Sequence, residues 1–489
     1  MNCQIQMIVR SAGLLAAVSV SALVHAETVN TRIGELSFDR GMPTKGTVAK
    51  LYDEMDFQRA VQAYLCAVPM VGMEESKQAH EQNSGARNGD IVIYEGYRNV
   101  SVFLTTNVTT PYIVAAVNLA EHGPMVVDYP AGATAGVMDD WWDRPVTDVG
   151  VPGPDRGQGG KYLFVGPGQD APAAEGDRVV RSRTVNNLFF YRVLEPDPAK
   201  AEALKKAVRI YPYSQRDNPP STRILTPKQE GELRIGVQPK GLAYWERVSQ
   251  ALNEEPVEDR DRFFMAMLKP LGIEKGKPFQ PDERQRKILA EAAFVGEAMA
   301  KASAFDKRFD GIRYRPDANW EYVVAPSYAV DQDIQNSTQF EERTALFYEA
   351  VGMSAASITQ RPGVGQTYLG AYHDKNGNAF DGSKTYRLRV PPNPPVNLFW
   401  SITLYEAETR VLIQNKQQIA DRSSRLDMVR NADGSVDIYF GPTAPTGFEK
   451  NWIPTVPGRA WFTYLRLYGP LEAYFDKTWP LPDIEQQPG

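Results

Sequence analysis

Residues 90–97 (DIVIYEGY), 100–106 (VSVFLTT), 112–119 (YIVAAVNL), 123–130 (GPMVVDYP), 161–168 (KYLFVGPG) and 183–194 (RTVNNLFFYRVL) decide the fold class. Each is a short β-branched or aromatic run, set off from the next by Gly, Pro, Asn or Asp. Short strands with turn signals between them predict an antiparallel β-sandwich. The same texture returns after residue 361, in TYLGAYH (367–373), TYRLRVPP (385–392), LFWSITLYEA (398–407), VLIQN (411–415), SVDIYFGP (435–442) and AWFTYLRLYGP (460–470). Before the last two of these runs, Asn431 to Gly434 reads as a tight turn.

The stretch between the two strand-rich regions has a different period. Residues 197–207, 242–255, 259–269, 281–304 and 338–352 read as helices, with Pro281-Asp282-Glu283 as a favourable start and Gly352 as a C-cap. A further amphipathic helix is predicted over 48–72, ahead of the first strands. Strands, helices, strands predict a mainly β chain with an α insert, the two strand regions being sandwiches. The expected divisions are a strand domain with its leading helix at 27–195, a helical domain at 196–355 and a second strand domain at 356–489.

Residues 1–26 read as a secretory signal. Arg10 is the only charge there, and the apolar run 11–24 is too short to span a bilayer. Cleavage near Ala26 predicts a periplasmic or secreted protein with no transmembrane segment. It also removes Cys3 and His25, leaving Cys66 without a disulfide partner. Cys66, in an apolar stretch, reads as a buried inert thiol. The 489 residues carry 54 basic and 60 acidic side chains with no clustered basic face, which excludes nucleic acid as a partner. A chain of this length has ample core without disulfides.

Common catalytic signatures are missing. There is no G-x-S-x-G elbow, H-E-x-x-H helix, C-x-x-C pair, EF-hand loop, P-loop or G-x-G-x-x-G turn. Of the remaining histidines, His80 in KQAHEQNSG reads as a solvated loop residue and His122 as a turn residue. His373 and Asp374, followed by Asn376, Asn378 and Asp381, could hold Ca²⁺ or another divalent metal through oxygen ligands; the competing reading is a plain turn. No other cofactor is expected. In MDDWWDRPVTD, Trp141 and Trp142 beside Asp139, Asp140, Asp143 and Arg144 could form a sugar platform, or could simply be core. The Gly-rich stretch 148–168 ends in a strand, so it offers no helix N-terminus to an anion and reads as a structured loop.

These loops carry a resemblance. Asn107-Val-Thr-Thr-Pro-Tyr112, Gly123-Pro124 with MVVDYP, Asp148-x-Gly-x-x-Gly-Pro-Asp155-x-Gly-x-Gly-Gly-Lys161-Tyr162 and Arg183-Thr184 are similar to the bacterial domain-of-unknown-function family 1254. Tyr372, Asp374, Gly377, Gly382, Phe399-Trp400-Ser401, Tyr405, Asp433-Gly434-Ser435, Gly441-Pro442, Asn451-Trp452, Arg466-Leu-Tyr468 and Trp479 resemble family 1214. The resemblance implies an N-terminal immunoglobulin-like sandwich, a small helical domain and a C-terminal jelly roll. It implies no reaction. Thr109 stands where many members have Asp, which puts any role inherited at that position in doubt.

Two readings of function stay open. One is an exported hydrolase or lyase acting on a carbohydrate or other polymer in an interdomain cleft. Tyr112, Asp143, Asp155 and Lys161 would then be the acid, base and electrophilic groups. Asn107, Trp141, Trp142, Arg144, Trp400, Trp452 and Arg466 would bind substrate, with Arg466 clamping an anionic group. The other is a non-catalytic envelope protein binding a small molecule or a polysaccharide, as a monomer or a homo-oligomer. A metal-dependent enzyme built on His373 and Asp374 is a third.

Overall fold

A computed structural model describes residues 27–173, 176–358 and 361–488. The signal-like segment 1–26 lies outside the described residues. The chain divides into two units, Met1–Asp56 and Phe57–Gly489. In the first, strands Glu27–Thr31, Gly34–Asp39 and Met42–Pro43 form an antiparallel sheet. The Ser37 amide donates to Thr47 Oγ1 at 2.8 Å, tying the sheet to the first turn of a helix that runs Lys45–Ser84. That helix outlasts its predicted end at 72 and continues through Pro69.

The second unit is mixed α and β. Its first half holds two sheets. A four-stranded sheet has the order Arg178–Arg181, Gly160–Val165, Met125–Tyr129, Arg209–Pro212. A six-stranded sheet has the order Ile224–Leu225, Ile91–Tyr94, Tyr112–Asn118, Asn186–Val193, Thr134–Asp140, Pro145–Gly150. Alternation along a strand sends neighbouring side chains to opposite faces. Ile91, Ile93, Ile113, Ala115, Phe189 and Tyr191 therefore join Met125, Val127, Tyr162 and Phe164 in one core cluster. Val92, Tyr94, Val114 and Leu188 belong to a different and larger cluster.

That larger core continues through the helices and into the last third of the chain. It takes in Tyr64 and Val68 of the long helix, Trp245 of Leu242–Glu254, Leu289 of Glu283–Phe305 and Phe347 of Phe340–Glu349. It also takes in Leu369, Ile402, Trp461 and Leu465. These last residues come from a sheet ordered Glu321–Tyr322, Gln366–Ala371, Ala460–Pro470, Val396–Glu406, Asp421–Ser423, with Phe380–Asp381 also pairing to the central strand. A four-stranded sheet of Trp452–Pro454, Val436–Gly441, Tyr386–Val390 and Glu485–Gln486 completes the unit.

Most predicted elements are found, with shifted ends. The start near Pro281 is a capping box: Asp282 accepts from the Gln285 amide at 2.8 Å, and the Gln285 side chain accepts from the Asp282 amide at 2.9 Å. The helix expected over 338–352 stops at Glu349, and Gly352 lies beyond it in a strap that leads into a 3-10 turn at Ala355–Ile358. His80 corrects the sequence reading. It sits on the long helix, fully buried, with Nδ1 3.1 Å from the Tyr94 hydroxyl, because the polar stretch around it is one face of a helix rather than a loop. Among the described residues, no helix is long and apolar enough to cross a membrane.

One close approach sets how tightly the helices pack. A Cβ added at Gly296 would lie 2.5–2.7 Å from Tyr64 Cγ, Cβ and Cδ1. Gly296→Ala is expected to cost about 1–3 kcal/mol through overpacking, read as a lowered melting temperature by circular dichroism. An unchanged melt would contradict this helix contact.

Candidate functional site

The central strand of each large sheet puts an arginine where its neighbours are apolar. In Asn186–Val193, Phe189, Tyr191 and Val193 face the first core, so Leu188, Phe190 and Arg192 face the other way. In Ala460–Pro470, Tyr464, Arg466 and Tyr468 share a face by the same period. Arg466 pairs across the sheet with Tyr368 on one side and Ser401 on the other, while Gln366 pairs with Tyr468. Both guanidinium-bearing faces border one cavity of about 110 Å³. Apolar side chains such as Val114, Leu188, Phe190 and Met353 line most of it, with Tyr112, Arg192, Gln366, Tyr368, Tyr464 and Arg466 as its polar groups.

The two arginines are buried without ion partners. Arg192 donates from Nη1 to the Tyr468 hydroxyl at 3.3 Å and from Nη2 to Gln366. Arg466 donates from Nη2 to the Thr105 carbonyl, and its guanidinium lies 5.3–5.6 Å from the rings of Tyr368, Tyr405 and Tyr464. Its Nη1 is buried and has no hydrogen-bond partner. Among the described residues no carboxylate is within ion-pair distance of either group. Burial pushes the Tyr468 hydroxyl up to about 12 and those of Tyr405 and Tyr464 higher still. At neutral pH these phenols are uncharged and cancel neither positive charge; the half-buried Asp421, which accepts from Thr109 at 2.9 Å, faces Arg466 from beyond ion-pair distance.

Asn107 organises one rim. Its Nδ2 donates to the Tyr112 and Tyr468 hydroxyls at 3.1 and 3.0 Å, and its Oδ1 accepts from the Thr110 amide at 3.1 Å. Behind the opposite wall, Tyr464 donates to Glu349 Oε2 at 2.5 Å. Glu349 also accepts from Tyr372 at 2.8 Å and from Lys307 at 3.1 Å, and Lys307 donates to the Tyr372 hydroxyl at 2.8 Å. Burial raises the Glu349 carboxyl above its ordinary range.

A third wall is the strap at 350–357, held by carboxylates. The Gly352 amide donates to Asp143 at 2.7 Å, Met353 to Asp139 at 2.9 Å, and Ala355 and Ala356 to the two oxygens of Asp148 at 3.1 and 2.9 Å. Gly352 has φ +82°, and a Cβ there would meet the Phe190 ring at 2.5 Å, so this position requires glycine.

Of the residues singled out from sequence, Asn107, Tyr112 and Arg466 come together at the cavity. The rest lie elsewhere. Asp143 is fully buried and anchors the strap, and burial pushes its carboxyl well above the usual range. Asp155 is enclosed in its own loop, accepting from the Gly150 and Gly159 amides at 2.8 and 3.2 Å and from Tyr162 at 2.6 Å. Lys161 is exposed. Trp141 and Trp142 are both core residues, and Arg144 is consumed by Asp140 at 2.7 Å and Glu258 at 2.5 Å. Trp400 is buried, and Trp452 donates from its indole to the Gly441 carbonyl at 2.8 Å. Asp374 accepts from the Asn376 and Asn378 amides at 2.8 and 3.0 Å, the arrangement of a turn, with His373 bridged to Ala379. Among the described residues no group of three potential metal ligands gathers.

Sequence reading missed Arg192, Gln366, Tyr368, Tyr464, Glu349 and Lys307. A signal existed for the first: Arg192 is the one cation inside NNLFFYRV, a strand otherwise suited to burial on both faces.

Residues 91–212 match the family described as "Protein of unknown function (DUF1254)", and residues 365–472 match "Protein of unknown function (DUF1214)". The chain carries both, the first N-terminal to the second, as the motifs implied. None of the curated proteins matches it. The crystal structure of the VPA0106 protein from Vibrio parahaemolyticus is similar in fold, with TM-score 0.55 and 17% identity over 88% of this chain and 100% of that one. An uncharacterized protein from Burkholderia cenocepacia gives TM-score 0.39 and 12% identity over 90% of this chain and 96% of its own. Arg192 falls in the first matched segment and Arg466 in the second, so the cavity draws on both.

The strap makes stability depend on pH. Burial raises Asp148 from 3.8 to about 6. The native state therefore holds this proton more tightly than the unfolded chain does. Its contribution is fully present below the unfolded value and is lost as pH rises through about 6. Between pH 4 and pH 7 the melting temperature of the wild type is expected to fall more than that of Asp148→Asn. Parallel curves would rule out Asp148 as the titrating group.

Proposed function

We propose that this chain, in which a DUF1254 segment and a DUF1214 segment wall one cavity, binds a small organic anion there: an acid group between Arg192 and Arg466, and an apolar body against Val114, Leu188 and Phe190. The observation that carries this reading is the pair of buried guanidiniums with no carboxylate partner. Leaving a cation desolvated and unpaired is costly, and truncating its partner in other proteins costs several kcal/mol. A bound carboxylate supplies the missing charge and an acceptor for Arg466 Nη1, and guanidinium geometry suits it. Tyr112 and Tyr368 offer further hydroxyls at the same wall.

The cavity is well above the ~10–15 Å³ that one water needs, but it is small beside the roughly 300–1,000 Å³ of sites for larger ligands. That scale supports a small molecule over a polymer chain. It also supports the binding reading over a polymer hydrolase resting on Asp143 and Asp155, neither of which lines the cavity. The strand textures and the paired sheets support reading 27–195 as an immunoglobulin-like sandwich, 196–355 as a helical insert and 356–489 as a jelly roll. The segment 1–26 supports placing the binding in the cell envelope or outside it.

Calorimetric titration of the full chain with acetate, benzoate, phenylacetate, succinate and inorganic phosphate tests the proposal. An aromatic carboxylate is expected to bind more tightly than acetate or phosphate. Arg466→Met should weaken it by roughly ten- to a hundredfold, the scale of one charged hydrogen bond, and Arg192→Met should do likewise. Binding by none of the five, or equal affinity in both folded variants, overturns it.

A further inference from the structure

We propose that the anion enters this cavity together with a proton, which is held on Glu321 at the far end of a buried line running Tyr464–Glu349–Lys307–Glu321. The proposal rests on the anion-binding reading and concerns how that site is regulated.

The line is continuous. Tyr464 lines the cavity, and its hydroxyl bonds Glu349. Glu349 Oε1 is 3.1 Å from Lys307 Nζ, and Glu321 Oε2 is 3.7 Å from the same nitrogen. The Lys307 and Glu349 side chains are inaccessible, at 1% and 0% exposure, so solvent does not screen them. Glu321 Oε2 is itself buried and has no hydrogen-bond partner. A carboxylate oxygen in that position is poorly stabilised as an anion.

Charge balance gives the coupling its direction. One lysine must serve two carboxylates. The other charged and titratable groups facing Glu321 are Asp306, Arg313 and Tyr372. Glu349 is faced by Tyr348, Tyr372 and Tyr464. Beyond Tyr464, 5.4 Å from its ring, stands Arg466, whose positive charge also faces the half-buried Asp421; in this proposal it helps offset the second carboxylate of the line while the cavity holds no anion. An anion on Arg466 cancels that charge, and the least stabilised carboxylate then takes a proton from solvent to become a neutral acid. No ligand bond is made or broken. Burial already pushes Glu321 up to about 7, which places the exchange in the neutral range.

The test is titration at pH 7 with the tightest-binding of the five probes, in buffers of different ionisation enthalpy. The slope of observed heat against buffer enthalpy gives the protons taken up. A shift of one unit in a group titrating near 7 corresponds to uptake of about 0.4 proton at pH 7, and that is the expected wild-type result. Glu321→Gln should abolish the slope while keeping affinity within about twofold of wild type at pH 6, where the wild-type carboxyl is already mostly protonated. As a check that needs no variant, wild-type affinity should fall by about tenfold in total from pH 6 to pH 9. A zero slope in wild type, or an unchanged slope in Glu321→Gln, overturns the proposal while leaving anion binding intact. Failure of all five probes to bind defeats the anion reading instead.

Discussion

Strand Asn186–Val193 is buried on both faces, and the two faces make different demands on the chain. Phe189, Tyr191 and Val193 require an apolar partner surface, which the four-stranded sheet provides. Leu188 and Phe190 require a second one, which comes from helices and the C-terminal sheet. Arg192 shares that second face, and hydrocarbon cannot pack against a guanidinium without leaving its donors bare. The space opposite it is lined by Tyr, Gln and another arginine, and it is not fully filled. The cavity follows from a cation on a strand that both layers have to cover.

Buried polar groups in this molecule fall into two kinds. Asp139, Asp143, Asp148 and Asp155 accept backbone amides, and Arg144 is shared between Asp140 and Glu258. Such groups fix loops in place, and their bonds offset the desolvation they suffer. Arg192 and Arg466 are different: their hydrogen-bond partners are neutral oxygens, and aromatic ring faces surround Arg466. The first kind holds the strap that forms a wall. The second kind faces the space the strap encloses. Structural roles thus account for the aspartates, and no ion pair accounts in the same way for the two arginines.

The strand and helix textures were legible because burial imposes periods of two and 3.6 along the chain. Asn107, Tyr112 and Arg466 were legible through motif resemblance. His80 was misread, since a polar stretch marks a loop or a solvated helix face equally well, and only the fold shows that His80 points to Tyr94. The Asp and Trp cluster at 139–144 looked functional because its residue types suit sugar chemistry, yet a tight hairpin buried in the core needs the same residues to cap its amides. Glu349 and Lys307 were invisible: one ends a helix and the other follows a different helix, and nothing local distinguishes them from solvated charges.

Neither matched segment contains the site alone. Tyr112 and Arg192 belong to the first, while Gln366, Tyr368, Tyr464 and Arg466 belong to the second. The strap, Glu349 and Lys307 lie between the segments and in neither. The register of Gln366–Ala371 against Ala460–Pro470 sets Tyr368 beside Arg466, and Tyr468 reaches across to Arg192 and Asn107. A hydroxyl bonded to both sheets fixes their spacing more strictly than apolar contact does, because a hydrogen bond tolerates only a few tenths of an ångström. Tyr468 therefore fixes Arg192 against the strand that carries Arg466 two residues away. For the anion binding proposed above, that arrangement favours ligands whose acid group matches the gap, and it makes the pairing of the two segments a condition for binding.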